Sequence, residues 1–287
     1  MSLPSGIVRV KANNPGPFTG TGTNTYIVGS DAARVVVDPG PFDPTHTAAI
    51  LAAAGGHPVT HILVTHAHRD HVDGLAALKA ATGARTVGFG RPPRDMAAPT
   101  LLESPSGGDF VDVDLALDVL VRDGEVIATP GLEIAALHTP GHAPDHLCFA
   151  IPGSRALFSG DHVMGWSTSV IAPPEGHMGR YLASLQKLTV CSQTLYLPGH
   201  GEQIEDGPRT VRAYLLHRQM REQAVLEAIR RGASSVEALT GVVYAGIAEN
   251  LMNAAKLSVI AHVELLAEKG QLSITGPLTA PTRLTLR

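Results

Sequence analysis

Short apolar runs separated by turn residues dominate the first two hundred residues of the chain. TYIV (25–28) ends at Gly29, and RVVV (34–37) ends at the turn DPG (38–40). Runs of β-branched and apolar residues bounded by Gly, Pro and Asp are typical of β-strands. The same pattern predicts further strands at 61–64, 85–89, 117–121, 125–128, 132–137, 147–151, 156–158 and 194–197.

Helical spacing of apolar residues appears between several of these strands and predicts helices at 44–54, 74–81 and 181–188. The pair Asp123-Gly124 lies between two strand candidates and predicts a hairpin turn that joins them. Many short strands with interspersed helices favour an α/β sandwich over a regular βαβ repeat.

The pattern changes near residue 205, where long amphipathic stretches replace the short runs. The turn DGP (206–208) predicts the start of a long helix that ends at Gly232. A second, short helix through residue 239 follows the cap candidates Ser234-Ser235, a third covers 251–268, and 271–275 is strand-like. Three helices and a strand indicate a small winged-helix-like module. We therefore expect a main domain at 1–205 and a winged-helix-like domain at 206–287.

Composition agrees with a globular protein that can build a large and a small core. The chain has 287 residues, of which 44% are hydrophobic and 17% charged, and its formal net charge is -4. This balance does not suit a strongly basic nucleic-acid binder. No apolar stretch approaches the ~18 residues of a membrane span, and the first ten residues lack the apolar region of a secretory signal. With two cysteines and no disulfide framework, we expect a protein of the reducing cytoplasm.

Candidate chemistry begins with the motif THAHRDH (65–71), which directly follows the strand candidate 61–64. It places four side chains that can bind a metal within six residues: His66, His68, Asp70 and His71. Zinc binds imidazole nitrogen and carboxylate oxygen at about 2.0–2.2 Å. A solvated histidine-rich loop is the alternative, but it does not explain so many ligand types at a strand end. The motif therefore predicts a metal site.

Three further turns repeat one pattern, in which a strand is followed by glycine and a candidate ligand. They are TPGH with His142, SGD with Asp161, and PGHG with His200. Glycine permits a sharp bend and a close approach of the backbone to a site. Any one of these turns alone has a simpler explanation as a polar residue bonded to its own loop. Together with THAHRDH they supply enough ligands for two metal ions.

The motifs HAHRDH, PGH, SGD and PGHG, in this order and spacing, resemble the metallo-β-lactamase superfamily. The resemblance covers most of the first two hundred residues. It implies a four-layer αββα sandwich with a metal site at one edge, between two β-sheets. It also implies that His66, His68 and His142 bind a first metal, that Asp70, His71 and His200 bind a second, and that Asp161 bridges both.

Two details of the motifs narrow the resemblance. Where many true β-lactamases carry a cysteine at a second-site position, the motif SGDH offers Asp161, as in dinuclear hydrolases such as glyoxalase II and the metallo-ribonucleases. We therefore do not expect β-lactam hydrolysis. GPFTGTGTNTYIVG (16–29) and the helical C-terminal part resemble the lactamase-β-two-like proteins, which append a winged-helix-like domain. That subgroup includes single-strand endoribonucleases and thioesterases that release acyl chains from carrier proteins.

The resemblance also implies a mechanism. Two divalent ions, zinc first although iron and manganese also suit the N/O ligands, would lower the pKa of a shared water. The resulting hydroxide would attack a thioester carbonyl or a phosphorus. Asp70 would bind the second metal and orient the hydroxide. Asp38 in the DPG turn is a candidate hydrogen-bond partner for a ligating histidine, or else a simple turn residue.

The sequence leaves three functions open. The first is hydrolysis of thioesters or esters on small or carrier-linked acyl substrates, which suits an acidic main domain. The second is cleavage of single-stranded RNA, in which four arginines could guide the phosphates: Arg209, Arg212, Arg218 and Arg221. The favoured explanation for these arginines is nevertheless a solvated helix face. The third is non-enzymatic nucleic-acid binding. The third helix (251–268) is a poor groove reader, and we expect its apolar residues to pack on the main domain: Leu257, Val259, Ile260, Val263, Leu265 and Leu266.

Overall fold

Two β-sheets form the centre of the first two hundred residues. The computed structural model describes residues 3–90, 111–112, 114–275 and 283–286. The first sheet contains, in spatial order, β1 (Ile7–Lys11), β2 (Asn24–Ser30), β3 (Ala33–Val37), β4 (Val59–Leu63), β5 (Arg85–Gly88) and β6 (Val119–Leu120). The second contains β7 (Val126–Thr129), β8 (Leu132–His138), β9 (Leu147–Ala150), β10 (Ala156–Gly160) and β11 (Leu195–Pro198).

Helices cover the outer faces of these sheets and form the C-terminal part. They are α1 (Pro44–Ala53), α2 (Arg69–Val72), α3 (Leu75–Thr82), α4 (Met178–Leu188), α5 (Gly207–Arg230), α6 (Val236–Val243) and α7 (Met252–Glu268). A two-stranded sheet of β12 (Leu272–Thr275) and β13 (Arg283–Leu286) follows α7. Within the described residues, no helix has both the length and the apolar character needed to cross a membrane.

Alternation along the buried strands assigns their side chains to two different layers. Val35 and Val37 pack between the two sheets with Phe149 and Phe158, whereas Val36 faces the other way. Successive side chains of a strand point to opposite faces, so a strand that is apolar at every position is covered on both sides. The unbroken apolar runs in the sequence have this physical origin.

Each outward face of a sheet packs against helices. Ile50 of α1 and Leu78 of α3 cover Val36 and Ile62 of the first sheet. On the second sheet, α4 covers Leu157 and Tyr196 together with parts of α5 and α7. The order helix, sheet, sheet, helix confirms the predicted four-layer αββα sandwich.

One edge of the sandwich brings together the carboxyl ends of five strands that matter for the site, β3, β4, β8, β10 and β11. Strands β3 and β4 are parallel, and so are β10 and β11, while β8 runs in the same direction as β10 because both are antiparallel to β9. Backbone hydrogen bonds join the two sheets at this edge, from Asn24 N to Gly199 O (2.7 Å) and from Leu147 N to Thr65 O (2.8 Å). The segments after these strands are therefore held side by side.

The hairpin predicted at Asp123-Gly124 is wrong. Strand β6 belongs to the first sheet and β7 to the second, so this turn carries the chain from one sheet to the other. Asp123 instead accepts a hydrogen bond from His138 N (2.8 Å) at the end of β8. The hairpin lies one strand later, where Thr129 pairs with Leu132. A turn sequence fixes the local bend, but the sheet that each arm joins depends on distant partners.

The C-terminal part has a core of its own and shares one helix with the sandwich. Asp206 caps α5 by accepting from Arg209 N (3.0 Å), and Ser235 caps α6 by accepting from Ala238 N (3.2 Å), as the sequence predicts. The first half of α5 packs on the sandwich through Val211, and its second half packs with α6 and α7 through Val225. A domain boundary at residue 205 stays a prediction, since α5 belongs to both cores.

The prediction that the apolar residues of the third helix cover the main domain is wrong for most of them. Four of the six belong to the core of the C-terminal part: Val259, Ile260, Val263 and Leu266. Of the six, Leu265 packs on the sandwich, next to Ala261. The reason is that α5, α6 and β12 surround α7 on most sides, so one narrow stripe remains for the sandwich.

Glu264 generates a prediction about the pH dependence of stability. Burial on α7 and the nearby Glu268 raise the pKa of Glu264 from 4.5 to about 7. Ionisation of this carboxyl is therefore unfavourable in the folded state. The penalty is absent below pH 4.5, where the group is protonated in both states, and it is complete above pH 7. We expect Glu264→Gln to raise the thermal unfolding midpoint at pH 8.5 by more than it does at pH 5.

The control for this comparison is Glu249→Gln, at an exposed glutamate of the same module. It should change the midpoint by a similar small amount at both pH values. An equal effect of Glu264→Gln at pH 5 and pH 8.5 would contradict the burial argument.

Candidate functional site

The seven predicted ligand residues all lie at the edge where the five strands end. After β4 the chain continues in extended form and then makes the single turn of α2. This geometry places His66 and His68 before the turn and Asp70 and His71 within it. His142, Asp161 and His200 follow β8, β10 and β11. The side chains form two groups, and within each group the ligand atoms lie within 4.8 Å of one another. The first group is His66, His68, His142 and Asp161, and the second is Asp70, His71 and His200.

Three ring nitrogens converge in the first group. His68 Nδ1 lies 2.8 Å from His66 Nε2 and 3.0 Å from His142 Nε2. Asp161 Oδ2 lies 3.7 Å from His142 Nε2. All four side chains are buried or nearly so, so water cannot separate these polar atoms freely.

Hydrogen bonds on the far side of each ring fix which nitrogen carries the proton. His142 Nδ1 lies 2.7 Å from the carbonyl of Val170, which can only accept. The Thr65 hydroxyl donates to Asp38, so it must accept from His66 Nδ1 at 2.9 Å. Both rings therefore present an unprotonated Nε2 to the group. Such partners orient ligating histidines in metal sites.

The second group has the same design. His71 Nε2, His200 Nε2 and Asp70 Oδ2 are separated by 3.1–3.4 Å. His71 Nδ1 donates to Asp38 Oδ2 (2.9 Å), and His200 Nδ1 faces the carbonyl of Gly22 (3.3 Å). The Nε2 atoms of His71 and His200 therefore face each other, at 3.3 Å.

Asp161 lies between the two groups and touches both. Its Oδ2 is 3.3 Å from His200 Nε2 and 3.7 Å from His142 Nε2, and its Oδ1 is 3.5 Å from His71 Nε2. Oδ1 is also buried and has no hydrogen-bond partner among the described residues. A carboxylate in this position can serve two cations at once.

The two groups of side chains differ in their electrostatics, and the second group favours positive charge. Burial alone would lower the pKa of His200, but the carboxylates of Asp161 and Asp70 outweigh it and raise that pKa to about 10. Burial would raise the pKa of Asp161, yet His200 and His71 hold it well below its usual range. In contrast, burial lowers the pKa of His66 and His68. Neutral imidazoles and ionised carboxylates are the forms that bind metals.

These side chains fit two divalent cations. His68 Nδ1 carries at most one proton, so it cannot donate to both His66 Nε2 and His142 Nε2. At least one of these two contacts would therefore bring two nitrogen lone pairs together unless a cation lies between the atoms. Two ligands bound tetrahedrally at about 2.0–2.1 Å lie about 3.3 Å apart. The ligand-atom separations of 2.8–3.7 Å are close to that value. Nitrogen and oxygen donors of this kind suit zinc, and also iron or manganese.

Two glycines provide the space in which these side chains meet. A Cβ at Gly199 would lie 2.5 Å from Asp161 Oδ1 and 2.6 Å from His71 Cε1. A Cβ at Gly141 would lie 2.3 Å from the Cα of Tyr181, and its φ of 144° also favours glycine. The strand-glycine-ligand pattern in the sequence therefore has a steric reason.

Sequence reasoning identified one supporting residue and missed others. The sequence left two interpretations of Asp38, a hydrogen-bond partner of a histidine or a turn residue. Asp38 accepts hydrogen bonds from Thr65 N (2.8 Å) and from His71, and its backbone is left-handed with φ 53°. Thr23, which donates to Asp70 Oδ2 (3.1 Å), was not identified. The carbonyls of Gly22 and Val170 were also missed. Thr23 lies in the quoted GTGTNTY stretch, but nothing in that stretch indicates a contact 47 residues away.

Two neighbouring histidines lie outside the two groups of ligand atoms. His146 Nε2 accepts from the backbone N–H of Asp161 (3.1 Å) and so supports that residue. His162 is fully buried, and neither of its ring nitrogens has a hydrogen-bond partner among the described residues. Its ring packs on Tyr181 at 4.7 Å.

The four arginines considered as a phosphate path occupy different environments. Arg209 and Arg212 are exposed, as a solvated helix face requires. Arg218 is 2% exposed and donates to the carbonyl of Ser169, so its assignment to a solvated face is wrong. Arg221 is half-buried and donates to Val243 O (2.6 Å). Helical spacing cannot reveal this, because the face of α5 that is covered depends on how it packs on the sandwich.

Two family models match the chain. The metallo-beta-lactamase superfamily model matches residues 18–200, and the beta-lactamase associated winged helix domain model matches residues 235–276. The first match covers β2 to β11 and every residue of the two groups. The second covers α6, α7 and β12.

Curated relatives are about 30% identical to the chain over the aligned residues. The beta-lactamase-like protein 2 homolog of Drosophila melanogaster is 31% identical over 284 residues, which covers 95% of this chain and 91% of the relative. The lactamase-like protein nscB of Neosartorya fischeri is 32% identical over 240 residues, but the matched part spans only 65% of its length. The atrochrysone carboxyl ACP thioesterase dmxR1 of a Cryptosporiopsis species is 30% identical over 237 residues, covering 82% of this chain and 66% of the relative.

Solved structures share the fold over 70% to 100% of the chain. The metallo-beta-lactamase family protein TTHA1429 of Thermus thermophilus has a TM-score of 0.79 at 22% identity and covers 99% of both chains. A beta-lactamase domain protein of Burkholderia ambifaria has a TM-score of 0.76 at 20% identity, with 100% and 93% coverage. TTHA1623, solved in a di-iron-bound form, has a TM-score of 0.54 at 27% identity and covers 70% of this chain and 96% of its own.

Gly199 allows a test of the site that leaves the backbone in place. In Gly199→Ala the new methyl group meets chiefly the side chains of Asp161 and His71, which must move apart. We expect the variant to fold and to bind divalent metal at least about tenfold more weakly, as measured by zinc retained against a chelator. Gly241→Ala, where a Cβ meets nothing within 4 Å, should retain zinc like the wild type. Equal retention by both variants would contradict this role for Gly199.

Proposed function

The chain belongs to the metallo-beta-lactamase superfamily of hydrolases, and we propose that it is a dinuclear, metal-dependent hydrolase of thioesters and esters. The observation that carries the proposal is the pair of ligand groups joined by Asp161. We propose His66, His68 and His142 as ligands of the first ion, and Asp70, His71 and His200 as ligands of the second. Asp161 contacts both groups and is the proposed bridge.

The proposed ions are zinc, because neutral imidazoles dominate the first group. A di-iron form of the similar TTHA1623 supports two ions in a fold of this kind and keeps iron as the alternative. When bound, such a pair supplies a nucleophilic hydroxide at neutral pH and polarises the oxygen on which negative charge develops.

Asp70 is the side chain best placed to orient the reacting water. Its side chain is 17% exposed, against 8% for Asp161 and 0% for His71, so it faces the solvent side of the site. The Thr23 hydroxyl donates to Asp70 Oδ2 and holds the carboxylate in place. Asp38 keeps His71 oriented from the opposite side.

An acyl substrate is favoured by two observations. The thioesterase dmxR1 is 30% identical over a match covering 82% of the chain, which supports the same reaction class here. The indole of Trp166, 47% exposed, lies next to Gly20 in the loop that leads to Thr23, and it offers an apolar surface near the site. We propose a small or carrier-linked acyl thioester as the substrate.

Cleavage of single-stranded RNA is less favoured by the structure. Of the four arginines that could guide phosphates, Arg218 is buried and bound to a backbone carbonyl. The exposed pair Arg209 and Arg212 lies in the first turns of α5. RNA is nevertheless a necessary arm of the test, because the chemistry of the site suits a phosphodiester as well.

The remaining proposals concern organisation and location. We propose that residues 1–205 form the catalytic domain and 206–287 a winged-helix domain that supports the cleft rather than reading nucleic acid. Both cysteines, Cys148 and Cys191, are unpaired, which supports a location in the reducing cytoplasm.

The decisive experiment compares thioester and RNA cleavage by the zinc-loaded protein and by Asp70→Asn. Asparagine keeps the shape but removes the charge that orients the nucleophile, so we expect the rate of acyl-thioester hydrolysis to fall about 100-fold or more. Release of the free thiol from acyl-pantetheine gives the rate. Asp31→Asn, at a carboxylate that is 92% exposed, is the matched control and should keep wild-type activity.

Each outcome has a distinct meaning. Thiol release that depends on Asp70, with no cleavage of end-labelled RNA, supports the proposal. RNA cleavage that Asp70→Asn lacks, without thiol release, would replace it with a ribonuclease function. Activity of Asp70→Asn equal to that of Asp31→Asn would reject the proposed role of Asp70.

A further inference from the structure

The segment after Asp161 folds back and contacts two of the proposed ligands. The hydroxyl of Ser169 lies 2.5 Å from the carbonyl oxygen of Asp161 and 2.9 Å from that of His162, and can donate to either. The next residue, Val170, accepts the hydrogen bond from His142 Nδ1 (2.7 Å). The position of the two-residue segment Ser169-Val170 therefore affects the orientation of the His142 ring and the main chain of Asp161.

Arg218 of α5 holds this peptide from the outside. Its guanidinium donates to the carbonyl of Ser169 and lies 5.3 Å from the ring centroid of Tyr181. The hydroxyl of Tyr181 in turn donates to the carbonyl of His162 (3.0 Å). Arg218 thus reaches the residues around the metal site along two routes, through Ser169 and through the ring of Tyr181.

The charge of Arg218 has no local counterpart. Its side chain is 2% exposed, no Asp or Glu of the described residues lies within 4.0 Å of it, and its Nε has no hydrogen-bond partner among them. Glu222, one turn along α5, is bound to Lys269 instead. Burial of an unpaired cation is unfavourable, and an apolar side chain of similar length would fill the space without that penalty.

We propose that Arg218 is a positioning residue of the metal site, through which α5 fixes the segment Ser169-Val170 and thereby His142 and Asp161. This inference rests on the proposed ligand set. A guanidinium suits the task because its planar fork gives a strong, directional bond to a carbonyl. Helix α5, which links the sandwich to the C-terminal core, thereby contributes to the site without touching a metal or a substrate.

The same helix contains a matched control. Arg221 lies three residues further along α5, donates to Val243 O (2.6 Å) and lies 4.5 Å from the ring centroid of Tyr244. It therefore makes the same two kinds of contact, one to a carbonyl and one to a tyrosine ring. Val243 and Tyr244 belong to the C-terminal core, and a third partner, His217 Nε2 at 3.3 Å, lies on α5 itself. None of the three belongs to the metal site.

The test compares Arg218→Met with Arg221→Met. For each we would measure the dissociation constant of zinc by chelator competition, the absorption spectrum of the cobalt-substituted protein, and the thermal midpoint without metal. Loss of a hydrogen-bond partner behind a metal ligand weakens binding about 10- to 100-fold, and Arg218 acts one bond further away, so we expect about tenfold. The cobalt spectrum of Arg218→Met should change because His142 is no longer held in one orientation.

Arg221→Met should lower the midpoint by a comparable amount but keep zinc affinity within about twofold of the wild type, because its partners lie away from the site. Zinc affinity that falls equally in both variants, or in neither, would overturn the inference. If Arg218→Met does not fold, Arg218→Lys keeps the charge but lacks the planar fork, and a folded Arg218→Lys with wild-type zinc affinity would also overturn it. A wild-type protein that binds no metal would reject the proposed function itself, which is a separate outcome.

Discussion

Burial of three neighbouring carboxylates is the constraint on which the site depends. Asp38 and Asp161 are almost fully buried and Asp70 nearly so, and among the described residues none of the three has a Lys or Arg within 4.0 Å. Ionised carboxylates in such surroundings need positive charge. Histidines supply the contacts, and the raised pKa of His200 is a direct result. Cations that replace these protons satisfy the same requirement, which is why the site suits metals.

The rest of the sandwich serves to bring these groups together. Parallel pairing makes strand ends coincide at one edge, and two backbone hydrogen bonds across the sheets, at Asn24 and Leu147, hold the two halves of that edge in register. Gly199 removes the side chain that would separate Asp161 from His71. Asp38, in a left-handed conformation, ties the end of β3 to Thr65 and His71. Each of these features has little value alone and acts on the same small region.

The C-terminal part is joined to the sandwich by more than a linker. Helix α5 supplies Val211 to the core of the sandwich, Val225 to the C-terminal core and Arg218 to the segment behind the proposed metal ligands. The contact between His177 Nε2 and Glu268 Oε1 (3.0 Å) connects the start of α4 to the end of α7. A winged-helix fold therefore does not by itself indicate nucleic-acid binding here, since much of its apolar surface is used internally or against the sandwich.

Local sequence determined most of the strands and helix starts and the side chains available as ligands, but it did not reveal β1 (Ile7–Lys11) or the start of α4 at Met178. The apolar runs 35–37 and 62–64 are covered on both faces, Asp206 and Ser235 cap helices, and THAHRDH places four proposed ligands at a strand end. Tertiary structure alone decided which partners these elements met. It decided that the turn Asp123-Gly124 connects the two sheets and that Thr23 contacts Asp70. It also decided that Arg218 is buried whereas Arg209 is exposed. The physical reason is that strand propensity, capping and ligand type depend on neighbours along the chain, whereas burial and pairing depend on surfaces that exist only after the sheets have packed.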